Sequence, residues 1–115
     1  MRSERPNFPR QAKLRGGSEF GGKFPWRRQG RLILVLARKN PLGGRGRLGM
    51  VIGKRSVSRA VDRSSMKRAI REAFRRRRAQ LGALDVVIRM RQSAGLKDLP
   101  EVRTELDQFF GQMPL

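Results

Sequence analysis

The chain has 115 residues, enough for one compact domain and too few for a second that could bury much apolar surface. Its formal net charge of +19, from 28 Lys and Arg against 9 Asp and Glu, would make a compact state repel itself unless a polyanion neutralised it, so a phosphate-rich partner is implied. There is no Cys and no His, which excludes disulfides, thiolate metal sites and every Ser-His or Cys-His arrangement, and makes a self-contained catalyst a poor fit.

Residues 1–12 hold Arg2, Arg5, Pro6, Pro9 and Arg10 with few apolar positions, a composition that cannot offset the entropy of ordering by burial. A flexible basic arm is expected there, followed by a single domain over residues 13–115. The basic start leads into no apolar segment, and the longest aliphatic run is 32–37, so neither a signal peptide nor a membrane span is expected and the location is read as cytoplasmic. Residues 13–24 form a candidate first helix with Leu14, Phe20 and Phe24 as its apolar positions. Glycines at 16, 17, 21 and 22 each weaken such a helix by ~1 kcal/mol relative to Ala, so packing must hold it.

Pro25 and Gly30 bracket residues 26–29, a short edge strand. Residues 31–38 contain five consecutive apolar side chains, too short a run for a typical helix, and read as a strand buried on both faces. Asn40-Pro41, Gly43-Gly44 and Gly46 are turn chemistry, after which residues 47–53 are expected as a strand that closes a hairpin. The longest helical signal covers residues 58–79, where Met66, Ala69, Ile70, Ala73 and Phe74 recur on one stripe, with Ser56 or Ser58 as the expected cap and Gly82 as the stop. Residues 84–90, LDVVIRM, read as a further buried strand reached by a helical crossover. A last helix is expected over 99–112, with Pro100 in its first turn and Val102, Leu106, Phe109 and Phe110 inward. The sum is an α+β domain in the order α-β-β-β-α-β-α, with one mixed four-stranded sheet and helices packed against it.

The most informative stretch is 54–78, KRSVSRAVDRSSMKRAIREAFRRRR. On a helix Arg59, Arg63, Lys67, Arg71 and Arg75 are each four residues apart and form a slowly turning basic ridge beside the apolar stripe, with Arg68 on its outer side. Only Asp62 and Glu72 compensate, and like charges at this spacing destabilise a helix unless a partner screens them, so the ridge is read as a contact surface and not as a solvated face. Arg outnumbers Lys by 22 to 6, which fits bidentate phosphate recognition and equally fits a GC-rich coding sequence. Arg75 to Arg78 could touch the same phosphate-rich partner or answer the helix dipole. Asp98, Glu101, Glu105 and Asp107 are read as surface charges and not as a metal cluster, and Trp26 as a packed aromatic.

Lys54-Arg55, Arg59-Ala60, Arg63 and Lys67-Arg68, continued by Arg71-Glu72-Ala73-Phe74-Arg75, resemble the signature of bacterial ribonuclease P proteins, an Arg-Asn-Arg-x-Lys-Arg core followed by Arg-Glu-x-Phe-Arg. Upstream, Phe8-Pro9-Arg10, Leu14-Arg15 and Glu19-Phe20 with Phe24 are similar to the family's first helix, whose two aromatics face a cleft. Downstream, Asp85-Val86-Val87-Ile88 resembles its last strand. Two serines, Ser64 and Ser65, stand where the family core has Asn and Arg, which removes an amide and a charge from the place expected to grip RNA. The tyrosine of the family's cleft wall is also missing, and Val35 is assigned to that position.

The resemblance implies a ribosomal protein S5 domain 2-like fold and a protein cofactor of the ribonuclease P ribozyme. Its partners would be ribonuclease P RNA and precursor tRNA, in a 1:1 complex with a monomeric protein. The reaction is endonucleolytic release of the mature 5′ end, with Mg²⁺ held mainly by the RNA and none bound tightly by the protein. It further implies contacts to the catalytic RNA from Arg59, Arg63, Ser64, Ser65, Lys67, Arg68 and Arg71, and to the 5′ leader from Phe20, Phe24, Val35, Lys54 and Arg55. No residue is assigned a catalytic role. The physical reading agrees, since single-stranded RNA is held by basic grooves with stacking aromatics. For Phe20 and Phe24, ordinary core packing remains the alternative. A structural RNA-binding protein, such as a ribosomal component, shares the charge, size and fold class and is the competing function. A metal-dependent nuclease acting alone would need converging carboxylates, which Asp62, Glu72 and Asp85 do not suggest.

Overall fold

The computed structural model describes residues 24–41 and 43–113. The expected basic arm and Phe20 lie outside the described residues. Four strands, β1 (Trp26–Gln29), β2 (Ile33–Lys39), β3 (Arg47–Val51) and β4 (Leu84–Met90), form one sheet; α1 (Ala60–Leu81) joins β3 to β4, and α2 (Leu99–Phe110) follows a 3-10 turn at Leu96–Asp98. The sheet order is β1-β2-β4-β3. β1 pairs antiparallel with β2, β2 antiparallel with β4, and β3 parallel with β4. A parallel pair needs a long crossover, and α1 supplies it. The α+β class with a mixed four-stranded sheet is therefore as expected.

The pairing expected for β3 is corrected. It does not close a hairpin with β2, because β4 lies between them. In β4, Leu84, Asp85, Val86, Val87 and Ile88 are all buried, and a strand this apolar is best placed with a neighbour on each side. β3 also stops at Val51, short of Gly53.

Register sorts the side chains into two faces. Ile33, Val35 and Ala37 of β2, Leu48 of β3, and Val86 and Ile88 of β4 join Met66, Ile70 and Phe74 of α1 and Val102, Leu106 and Phe110 of α2 in one core. Phe74 and Phe110 meet edge to face, 6.4 Å between centroids at 69°, which ties the two helices together. The opposite face carries Leu34, Leu36 and Arg38 of β2, Asp85, Val87 and Arg89 of β4, and Arg47, Gly49 and Val51 of β3.

α1 buries the predicted stripe but begins at Ala60, and the expected Ser56 or Ser58 cap is not formed: the N-cap is Arg59, with no side-chain cap bond. Instead Arg63 reaches back, its Nη1 donating to the carbonyls of Val57 and Ser58 at 2.9 Å each. Gly82, at φ 65, ends the helix.

Glu105 is not a surface charge. It is buried, and its carboxylate accepts main-chain N–H groups from Arg31 at 3.0 Å, Leu32 at 3.3 Å and Ile33 at 3.1 Å. Those amides serve the carboxylate, so β2 starts at Ile33 and not at residue 31. Gly30 is required beside it, because a Cβ there would stand 2.4 Å from Oε1.

Candidate nucleic-acid interface

The basic ridge lies along α1, fixed by the burial of Met66, Ile70 and Phe74 on the adjoining stripe of the helix. Lys67 and Arg71 are half-buried and Arg68 is exposed. Half-burial suits long side chains whose apolar stems lie against the neighbouring stripe with the charge left in water. Ser64 is three, four and seven residues from Lys67, Arg68 and Arg71, so it stands within the ridge. Ser65 is three residues from Asp62 and four from Ala69, both buried, and so turns away from it. The two serines are thus not equivalent.

At the entrance to α1, Lys54 and Arg55 project from a turn fastened by hydrogen bonds from Ser56 N–H and Val57 N–H to Gly53 C=O, at 3.2 and 3.0 Å. Val57 is fully buried and anchors the turn; Lys54, Arg55 and Arg59 are exposed. A rigid, charged entrance therefore leads onto the ridge. Arg63 belongs to both, and part of its hydrogen-bonding capacity is spent on the backbone.

The carboxylates are used elsewhere. Asp85, fully buried, takes Arg38 at 3.0 Å and Arg47 at 2.9 Å; Glu105 holds the start of β2; Asp98 and Glu101 meet Arg31; and Asp107 lies 3.9 Å from Arg77. Asp62 is buried in the first turn of α1, where the helix dipole favours an anion, and its Oδ1 finds no partner among the described residues. Glu72 alone remains exposed on α1. Among the described residues, no carboxylate comes within ion-pair distance of Lys54, Arg55, Arg59, Arg63, Lys67, Arg68 or Arg71. Like charges held this close, without internal compensation, suit an external polyanion. Among the described residues no three acidic side chains gather as a metal site would require, and no helix is long and apolar enough to cross a membrane.

On the sheet, Phe24 precedes β1 and is not helical. The Arg38 guanidinium lies over its ring, 4.4 Å from the centroid, and Arg38 is itself held by Asp85. Val35 is corrected: it is fully buried on the helix-facing side and is withheld from any ligand on the opposite face. The β2 residues turned to that face are Leu34 and Leu36, both half-buried. Arg89, exposed there beside Leu34 and Val51, was missed by sequence reasoning. Its signal was the alternation of LDVVIRM, which places it with Asp85 and Val87.

Comparison with known proteins gives one consistent result. The family model described as Ribonuclease P matches residues 8–114. The ribonuclease P protein component of Paraburkholderia xenovorans is 41% identical over 96 residues, 81% of this chain and 67% of that protein. That of Bordetella parapertussis is 39% identical over 116 residues, 92% of this chain and 94% of that protein. Among solved structures, a Staphylococcus aureus RNase P protein mutant with defective mRNA degradation activity superposes with a TM-score of 0.65 at 28% identity, covering 76% of this chain and 73% of the other. The RNase P protein from Thermotoga maritima, in complex with 1-(4-fluorophenyl)-2-thiourea, gives 0.61 at 28%, covering 77% and 86%.

Proposed function

Because this chain belongs to the bacterial ribonuclease P protein family, we propose that it works as the non-catalytic protein cofactor of the ribozyme, binding the catalytic RNA along α1 and the 5′ leader of precursor tRNA on the sheet side. The observation that carries this reading is the uncompensated row of cations on α1: among the described residues the other carboxylates are buried or paired with arginines off the ridge, and only Glu72 stands exposed on the helix. Arg59, Arg63, Ser64, Lys67, Arg68 and Arg71 would meet phosphates of the catalytic RNA, Ser65 contributing least because it turns away. Lys54 and Arg55 would hold leader phosphates, and Phe24, steadied on one ring face by Arg38, would stack on a leader base. Phe20 is assigned the same role by the family resemblance.

Hydrolysis at the 5′ end then belongs to the RNA, and Mg²⁺ is held there; the described residues offer no acidic cluster to hold it. What the protein contributes is binding and alignment of the substrate. It acts as a monomer in a 1:1 complex in the cytoplasm. The experiment that tests the assignment compares binding of a leader-bearing precursor and of mature tRNA to the protein–RNA complex. The leader-bearing substrate should bind more tightly only when the protein is present. Equal affinities would leave an RNA-binding protein without a leader site, which is the ribosomal-component kind of function.

A further inference from the structure

The face of the sheet turned away from the helices is crossed by a row of charge. Arg38 of β2, Asp85 of β4 and Arg47 of β3 are direct cross-strand partners on three adjacent strands. Their side chains therefore rise side by side in a row about 10 Å long, two strand spacings. Asp85 stands at the centre with none of its side chain exposed, and the side chains of Arg38 and Arg47 are only 11% and 10% exposed.

The two arginines hold the carboxylate differently. Arg47 grips it as a fork, Nε donating to Oδ1 at 3.0 Å and Nη2 to Oδ2 at 2.9 Å, which fixes the plane of the carboxylate. Arg38 adds a single bond, from Nε to Oδ2 at 3.0 Å. With Nε so tethered, its guanidinium carbon lies 4.4 Å from the centroid of the Phe24 ring. Support thus passes from Arg47 to Asp85, to Arg38 and to Phe24, from the β3 edge of the sheet to the residues that lead into β1 at the other edge.

Fold stability is a weak reason for such a row. The three strands are already joined by their backbone ladders, and on the helix-facing side by the core that holds Ile33, Val35, Leu48, Val86 and Ile88. Withdrawing three charges from water is costly, and an apolar trio of similar volume often serves a fold equally well. What an apolar trio cannot do is set a cation against one face of an aromatic ring. An arginine left free would sample many rotamers, whereas one tethered in advance has little ordering left to lose when a ligand arrives.

We infer that Asp85, clamped by Arg47, is a positioning residue for substrate binding: it presets Arg38 against Phe24 and so holds the ring ready to receive a base of the single-stranded leader. The inference rests on the reading of Phe24 as a leader-stacking residue. It adds to that reading two residues, Asp85 and Arg47, that are too buried to meet RNA themselves.

The test uses the assembled protein–RNA complex and measures leader discrimination, the ratio of its affinities for leader-bearing precursor and mature tRNA. Asp85→Asn keeps the shape and removes the charge that both guanidiniums answer. Discrimination should fall about threefold to tenfold, part of what a stacked base contributes. Phe24→Ala should lower it further, and Asp85→Asn added to Phe24→Ala should change it no more, because the carboxylate acts through the ring. A carboxylate that served folding alone would alter both affinities together or neither, whatever stands at position 24. Urea unfolding establishes that each variant is folded. Full discrimination in a folded Asp85→Asn overturns the inference, as do losses that multiply in the double variant. If Asp85→Asn does not fold, Arg47→Lys, which keeps the charge and gives up the fork, takes its place with the same two readouts. Discrimination untouched by Phe24→Ala removes the leader-stacking reading and the inference with it. Discrimination lost in Phe24→Ala but kept in Asp85→Asn removes the inference alone.

Discussion

The Oε1 oxygen of Glu105 on α2 lies 3.1 Å from the main-chain nitrogen of Ile33 and accepts its hydrogen bond, fastening the last helix to the first residue of β2. The same carboxylate serves Arg31 and Leu32, so Glu105→Ala strands buried amides and should cost about 3 kcal/mol, read as a lower urea midpoint with unchanged slope. Gly30→Ala should destabilise comparably, because its Cβ would collide with that carboxylate. A loss under 1 kcal/mol in both would mean water replaces the carboxylate at little expense.

Lys67→Ala with Arg71→Ala should weaken binding of ribonuclease P RNA and flatten its salt dependence by about two units, one phosphate per side chain. The fold should tolerate the change, since neither residue belongs to the buried core. Filter binding across a salt series measures it. An unchanged slope would return the ridge to a solvated face.

Phe24→Ala should lower affinity for leader-bearing precursor and leave mature tRNA unaffected. Arg38→Ala should do the same, and the double variant should lose little more than the larger single loss, because the guanidinium acts through the ring it covers. Losses that simply multiply would separate the two residues. Equal losses for both tRNAs would indicate a packing role for Phe24.

Arg31 donates a charged hydrogen bond to Glu101 from Nε at 2.7 Å and a second from Nη2. That bond, more than the charge attraction it accompanies and against a smaller effect of burial, holds the Glu101 carboxyl below its ordinary value. A depressed carboxylate contributes stability above the ordinary carboxylate range and loses it as pH falls through the lowered value. The pair is solvent-exposed, so the contribution is small. Following the Glu101 side chain by NMR should show a midpoint that Arg31→Ala moves upward; no movement would mean the pair is absent in solution.

Much of the fold was legible because apolar patterning was strong. LDVVIRM marked β4 to the residue, and the stripe from Met66 to Phe74 marked the buried side of α1. The strand pairing was not, because the Asn40 to Gly46 turn residues say where the chain bends and not which strand it returns to. That depended on β4 entering between β2 and β3. Val35 was misplaced for a related reason: five consecutive apolar residues carry no alternation, and only register against β4 shows which of them face the helices. Glu105 looked like its neighbours on α2, since nothing local records that three amides from residues 31–33 converge on it. In the site, the ridge followed from four-residue spacing alone. The unequal placement of Ser64 and Ser65 needed the buried side of α1.

The most direct test of the cofactor assignment mixes the purified protein with a bacterial ribonuclease P RNA and a leader-bearing precursor tRNA at low Mg²⁺, omitting each component in turn, and measures 5′ cleavage. Cleavage that requires both protein and RNA is the result this account predicts. Tight RNA binding without rescue of cleavage would contradict it.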